Sequence, residues 1–207
     1  FGRVMDKNLL NTELSRRSLL SKTLLTGTGL VCGASALSGL ILPGTVEANT
    51  MMSDFWLKTR SLECYRADNN ERYNLTFFNG PHGQYLPDAY KQACWMLRDA
   101  KDQNQMVSMD IGLLNLMYAL QEWARISGKS EPVIRINSAY RTSRRNARIE
   151  GAARNSLHTQ GRAVDIRMKG VDISQLSQMA KYFKVGGVGV YDTFLHVDTG
   201  RVRSWRG

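Results

Sequence analysis

The sequence SLHTQGRAVD at residues 156–165 is followed near the C-terminus by FLHVDTG at residues 194–200. The first segment puts His158 in a loop just before a predicted strand, on which Asp165 points away from the apolar side chains. The second segment puts His196 on another predicted strand. If the two strands are neighbours, all three side chains converge at one point.

Two imidazoles and one carboxylate form an ordinary ligand set for zinc, and three protein ligands leave a fourth position for water, as catalytic zinc sites require. Bound zinc lowers the pKa of its water towards about 7 and polarises a carbonyl group. The spacing of His158 and Asp165 alone also fits a simple hydrogen-bonded pair. The sequence contains only three histidines, so few other ligand sets exist.

The remaining elements predict an α+β fold, in which helices pack on one face of a small antiparallel sheet. Asp110 is a suitable cap for the second helix, and Gly128 marks its end. Residues 138–160 predict a long loop with a short helix. The predicted strands are 74–78, 132–137, 162–168, 187–191 and 194–198. One predicted helix begins at Pro87, a second begins after Asp110, and a third spans 173–183.

Residues 1–48 have the layout of an export signal. Arg16 and Arg17 precede an uncharged stretch over residues 23–42, and small residues near residues 46–48 suit a signal peptidase. The paired arginines and the moderately apolar centre favour the twin-arginine route. We therefore predict a removable signal at residues 1–48, with an uncleaved anchor as the alternative, and one domain at residues 49–207.

The chain has a formal net charge of +10, which favours an anionic partner. Residues 1–48 contain five Lys or Arg and three Asp or Glu, so the rest of the chain carries +8. Outside the cytoplasm, the carboxylate-rich peptides of the cell wall are better candidates than nucleic acid. No nucleic-acid-binding motif is recognisable, and no stable membrane insertion is expected after signal removal.

The region from Ser138 onwards resembles the zinc murein endopeptidases of the MepK type. That family belongs to the D-alanyl-D-alanine carboxypeptidase group, which shares its zinc-site fold with the Hedgehog signalling domain. A weaker similarity extends over most of residues 49–207. The matching segments are SAYR at 138–141, SLHTQGRAVD at 156–165, GGVGVY at 186–191 and FLHVDTG at 194–200.

The resemblance implies that His158, Asp165 and His196 bind one zinc ion per chain. It also implies that Arg141 holds a carboxylate of a peptidoglycan stem peptide, since a guanidinium suits that bidentate contact. Without the motif, Arg141 would be one more solvated arginine. The implied function is hydrolysis of peptide cross-links in the periplasm.

The catalytic base is left open by the sequence. The wider group often has an acidic residue three positions before the last histidine ligand, and Thr193 occupies that position here. Asp198 is the preferred candidate, because it shares a strand face with His196, and Asp192 is another. Asp198 has an alternative role, which is to orient the histidine ligand.

Two rival functions remain at this stage. A D,D-carboxypeptidase would trim terminal D-alanine, and a zinc-stabilised module without a base would bind the cell wall without cleaving it. Cys64 and Cys94 form either a disulfide or a pair of reduced buried thiols, since twin-arginine export moves folded proteins.

Overall fold

The structure is a computed structural model that describes residues 55–207. The predicted export signal lies outside the described residues. The described elements are strands β1 (Arg60–Arg66), β2 (Arg72–Asn79), β3 (Gln84–Tyr85), β4 (Ile134–Ser138), β5 (Ala163–Met168), β6 (Gly187–Val190), β7 (Leu195–Asp198) and β8 (Arg203–Arg206), helices α1 (Pro87–Met96), α2 (Ile111–Ile126), α3 (Ser143–Asn146) and α4 (Ile173–Phe183), and a 3-10 helix at Leu157–Gln160.

The strands form one sheet in the order β3-β2-β1-β4-β5-β7-β6-β8. Most neighbours are antiparallel, but β1 runs parallel to β4 and β6 runs parallel to β8. The α+β class is confirmed, whereas the prediction of a small antiparallel sheet is wrong. The sequence analysis did not predict β1 and β8, and these two strands supply both parallel pairs.

Strand β1 escapes prediction because its buried positions include charged residues. Leu62 and Cys64 lie between Arg60 and Arg66 on the core face, and all four side chains are buried. The Arg66 Nη1 group donates to the carbonyl oxygen of Met96 at 2.6 Å, so its polar head is satisfied within the protein. Periodicity in hydrophobicity alone therefore misses this strand.

Helix α2 has the predicted ends and packs on the sheet. Asp110 Oδ1 accepts a hydrogen bond from the Gly112 N–H at 2.6 Å, and Gly128 adopts a φ of 80° just beyond the helix. The Thr199 hydroxyl donates to Asp110 Oδ2 at 3.0 Å. Asp110 therefore caps the helix and also binds Thr199, the residue that follows β7.

The two cysteines of the described residues, Cys64 and Cys94, are both buried and free. This arrangement agrees with the reduced alternative of the sequence analysis. Burial raises the pKa of the Cys64 thiol, which keeps it protonated.

None of the helices within residues 55–207 is long and apolar enough to cross a membrane. At the centre of the sheet, β5 lies between β4 and β7, and this is where the predicted ligands Asp165 and His196 lie. The strands that carry Asp165 and His196 are neighbours, which meets the condition stated for their convergence, and these two residues are directly paired across β5 and β7.

Candidate metal centre

The sheet register brings two of the predicted ligands together. Asp165 and His196 face one another across the antiparallel pair β5–β7. Cross-strand partners have their Cβ atoms about 4.5–5.5 Å apart on the same face, so their side chains meet. Ser138 of β4 pairs with Asp165 on the other side, which places the start of the 138–142 loop beside the same point.

His158 reaches this point from the 3-10 helix that precedes β5. The Ser156 hydroxyl accepts the His158 N–H at 3.3 Å and caps the helix. Gly161 ends it in the left-handed conformation, with a φ of 68°. A Cβ at Gly161 would also lie 2.9 Å from the Ser108 carbonyl oxygen, so a larger residue would disturb the turn that aims His158.

The three candidate donor atoms form a nearly regular triangle. His158 Nε2 lies 3.2 Å from His196 Nδ1 and 3.2 Å from Asp165 Oδ1, and His196 Nδ1 lies 2.9 Å from the same oxygen. A tetrahedral zinc ion bound at about 2.0–2.1 Å needs donor atoms about 3.3–3.4 Å apart. The triangle therefore fits a zinc ion with these three ligands.

A backbone contact fixes the tautomer of His158. Its Nδ1 lies 2.6 Å from the carbonyl oxygen of Ala139, which can only accept, so Nδ1 carries the hydrogen. Burial lowers the pKa of His158 and keeps the ring neutral. The Nε2 lone pair therefore points into the triangle, as metal ligation requires.

His196 is held from its other nitrogen. Its Nε2 lies 3.2 Å from Asp198 Oδ2 and donates to it, which leaves Nδ1 for the triangle. Burial opposes protonation of His196, but its hydrogen bonds to Asp165 and Asp198 outweigh burial and raise its pKa. A carboxylate behind a histidine ligand is the usual support for a bound metal.

The two carboxylate oxygens of Asp165 have different partners. Oδ1 faces both histidines, and Oδ2 accepts a hydrogen bond from Arg141 Nη2. Burial raises the pKa of Asp165, but the hydrogen bonds of the histidines and the charge of Arg141 bring it well below its usual value. Asp165 is therefore ionised, as a metal ligand must be.

Asp198 is completely buried and its lone pairs are occupied. Besides His196, it accepts hydrogen bonds from the backbone N–H groups of Gly187 and Gly200 at 2.8 Å each and from Arg203 Nη2 at 2.7 Å. Burial raises the pKa of Asp198, yet these donors lower it well below the usual range. These contacts favour the orienting role for Asp198 over proton transfer.

The other candidate for the base, Asp192, lies at the surface. Asp192 and the neighbouring Thr193 are exposed between β6 and β7, and within the described residues neither forms a hydrogen bond to His158, Asp165 or His196. The third histidine, His82, is exposed in the turn between β2 and β3 and is absent from the candidate ligand set.

Two residues near the centre were missed by the sequence analysis. Arg203 pairs with Asp198, and the ring centroid of Trp205 lies 5.3 Å from that of His196. Both lie on β8, which continues the sheet beyond β6. The alternation in the sequence RSWR at residues 203–206 was the available signal, although four residues make it a weak one.

A pair of imidazoles with one carboxylate, each supported by a second partner, is a ligand set of the kind found in catalytic zinc sites, including those of metallopeptidases. The sequence model of the family described as "Peptidoglycan L,D-endopeptidase MepK" matches residues 55–205. The chain belongs to this family.

Curated relatives agree with this assignment. The chain is similar to the probable peptidoglycan L,D-endopeptidase MepK of Haemophilus influenzae, with 33% identity over 181 residues that cover 86% of this chain and 94% of the relative. It is also similar to the peptidoglycan L,D-endopeptidase MepK of Escherichia coli, with 31% identity over 182 residues, or 85% and 94% of the two chains. No solved structure matches the chain.

Replacing His158 by alanine is expected to weaken zinc binding by at least about 100-fold, because it removes one of three ligands rather than an outer partner. The measurement is zinc per chain after dialysis against a competing chelator. His82→Ala is the matched control and should retain one zinc per chain. Equal zinc retention by His158→Ala and the wild-type chain would contradict the site.

Proposed function

We propose that this chain is a zinc-dependent endopeptidase that hydrolyses peptide cross-links of peptidoglycan. The observation that carries the proposal is the triangle of His158, Asp165 and His196, whose sides of 2.9–3.2 Å suit one zinc ion. The family match and the names of the relatives support the reaction and the substrate.

The protein supplies three ligands and leaves room for one more. When bound, zinc supplies an activated water near neutral pH and polarises the scissile carbonyl. Other groups of the protein hold these ligands in place. The Ala139 carbonyl and the Asp198 carboxylate hold the two imidazoles in their ligand tautomers, and Arg141 holds Asp165 so that Oδ1 faces the histidines.

Arg141 has a free donor for the substrate. Its Nε donates to the Ser138 hydroxyl at 2.8 Å and its Nη2 to Asp165. Within the described residues Nη1 has no hydrogen-bond partner, and it is not among the fully buried unpaired atoms. We propose that Nη1 binds a carboxylate of the stem peptide, next to the ligand that Nη2 supports.

The relatives' names favour one type of cross-link. Both are named L,D-endopeptidases. A bond between two diaminopimelate residues joins an L centre to a D centre, whereas a bond from D-alanine to diaminopimelate joins two D centres. We therefore propose the diaminopimelate–diaminopimelate cross-link as the substrate.

A peptidoglycan substrate supports a location outside the cytoplasm. We propose that residues 1–48 direct export to the periplasm by the twin-arginine route and that residues 49–207 form the zinc peptidase domain. We also propose that this domain has the arrangement of the Hedgehog and D-alanyl-D-alanine peptidase group, with helices on one face of its mixed sheet.

The purified chain, loaded with zinc, is expected to split muropeptide dimers cross-linked through two diaminopimelate residues and to leave D-alanine–diaminopimelate dimers intact. Products are identified by mass, and a chelator should abolish them until zinc is restored. Release of free D-alanine alone would indicate a carboxypeptidase. Tight binding to the wall without products would indicate a non-catalytic module.

Arg141→Lys is expected to raise KM by about tenfold or more, because lysine keeps the charge but lacks the planar group whose separate nitrogens contact Asp165 and the substrate carboxylate. The comparison uses cross-linked dimers with free or amidated carboxylates. Amidation should raise KM for the wild-type chain and have little further effect on the variant. An equal effect of amidation on both proteins would contradict the anchoring role.

Asp198→Asn separates the two roles of this carboxylate. If Asp198 orients His196, as we propose, zinc affinity should fall by about 10–100-fold, and saturating zinc should restore most of kcat. Loss of a general base would instead leave kcat about 10²–10⁴-fold lower at full zinc occupancy. Circular dichroism establishes that the variant is folded before either measurement.

A further inference from the structure

One row of paired residues crosses the strands β7, β6 and β8 on the face that carries the metal centre. His196 pairs with Gly189, and Gly189 pairs with Trp205. A Cβ at Gly189 would lie 2.6 Å from the Trp205 indole ring. The indole therefore lies across Gly189, in the space that any other residue would fill, and this brings it against the ring of His196.

Tyr191 lies one step further along the same face. Successive side chains alternate between the faces of a strand, so Tyr191 follows Gly189 on the side of His196. Its ring stacks on that of Phe194, with centroids 4.5 Å apart and planes 16° apart. A half-buried aromatic ring stacked in this way has little rotational freedom, so its hydroxyl has a defined position.

The Trp205 indole holds that hydroxyl in one orientation. Its Nε1–H lies 3.2 Å from the Tyr191 hydroxyl oxygen, and because an indole only donates, the tyrosine accepts. The tyrosine's own hydrogen has no acceptor within residues 55–207. A phenylalanine would keep the stacking on Phe194 but would leave the indole N–H without this partner and would lack the oriented O–H group that can donate to a ligand.

The proposed substrate anchor is reached from the same row of paired residues. Asp165 lies opposite His196 across β5 and β7, and its Oδ2 accepts a hydrogen bond from Arg141. Gly189 pairs with His196 on the other side, and Tyr191 follows Gly189 by two residues. A candidate metal ligand, an anion anchor and a hydroxyl donor are therefore carried by adjacent strands or by the residues that follow them.

We propose that the Tyr191 hydroxyl donates a hydrogen bond to the oxygen of the scissile carbonyl as negative charge develops on it, and that Trp205 is a positioning residue that orients this hydroxyl. The proposal rests on the endopeptidase function proposed above. A preorganised donor at a developing oxyanion stabilises the transition state more than the ground state. Its loss should therefore appear in kcat.

Tyr191→Phe tests this role by removing one oxygen atom and keeping the stacked ring. We expect kcat for the cross-linked dimer to fall by about 10²–10³-fold, which is the usual cost of one oxyanion donor. KM should stay within about twofold of the wild-type value, with an unchanged zinc content. Tyr182→Phe is the matched control, because Tyr182 is exposed and packs on Trp123, away from the centre.

Trp205→Phe removes the indole N–H and is expected to lower kcat by roughly tenfold through a misplaced hydroxyl. In the Tyr191→Phe background the same change should cost little more, because the two residues act as one unit. A further loss of similar size in the double variant would overturn the positioning role. An unchanged kcat in Tyr191→Phe, or a rise in KM alone, would overturn the catalytic role.

The Trp205 indole N–H resonance provides a readout that does not depend on activity. We expect it to shift and to exchange faster with solvent in Tyr191→Phe, and to stay unchanged in Tyr182→Phe. An unaffected resonance in Tyr191→Phe would overturn the hydrogen bond. A wild-type chain that binds zinc but splits no dimer would instead defeat the proposed function, and with it the catalytic role of Tyr191.

Discussion

The antiparallel register of β5 and β7 is the constraint on which the candidate metal centre depends. It sets Asp165 opposite His196 while Val164 and Val197, one residue away on each strand, pair within the core. A slip of β7 by one residue would turn His196 into the core and Val197 towards Asp165. The free energy that buries the two valines therefore also fixes the geometry of the ligands.

The same centre shows how buried charge is tolerated. Asp165 and Asp198 lie in the interior, where an isolated carboxylate would be protonated, yet both stay ionised because several donors surround them. A further buried carboxylate supports the loop next to this centre. Asp99, fully buried, accepts the Thr142 N–H at 2.9 Å and pairs with Arg145, which holds the loop that carries Arg141.

Sequence reasoning succeeded where the determining contacts are local. The alternation around Asp165, the cap at Asp110 and the bounds of Ile173–Phe183 follow from short-range stereochemistry, and the structure has all three. It failed where a partner lies far along the chain. The carbonyl of Ala139 behind His158 is a backbone group that any residue could supply, and β1 carries charges on its buried face, so neither leaves a recognisable pattern.

The net charge of +10 is a second case in which the sequence does not reveal the partners of its residues. It pointed to an anionic partner, but several arginines are occupied inside the protein: Arg66 binds backbone carbonyls and Asp68, and Arg98 binds Glu71 and a backbone carbonyl. Such groups cannot also bind a carboxylate of the cell wall. Arg141 differs from them, because its guanidinium pairs with the candidate ligand Asp165 while its Nη1 group has no hydrogen-bond partner within residues 55–207. A charge count predicts attraction to anions, whereas free hydrogen-bond donors beside the candidate ligands decide which groups can bind there.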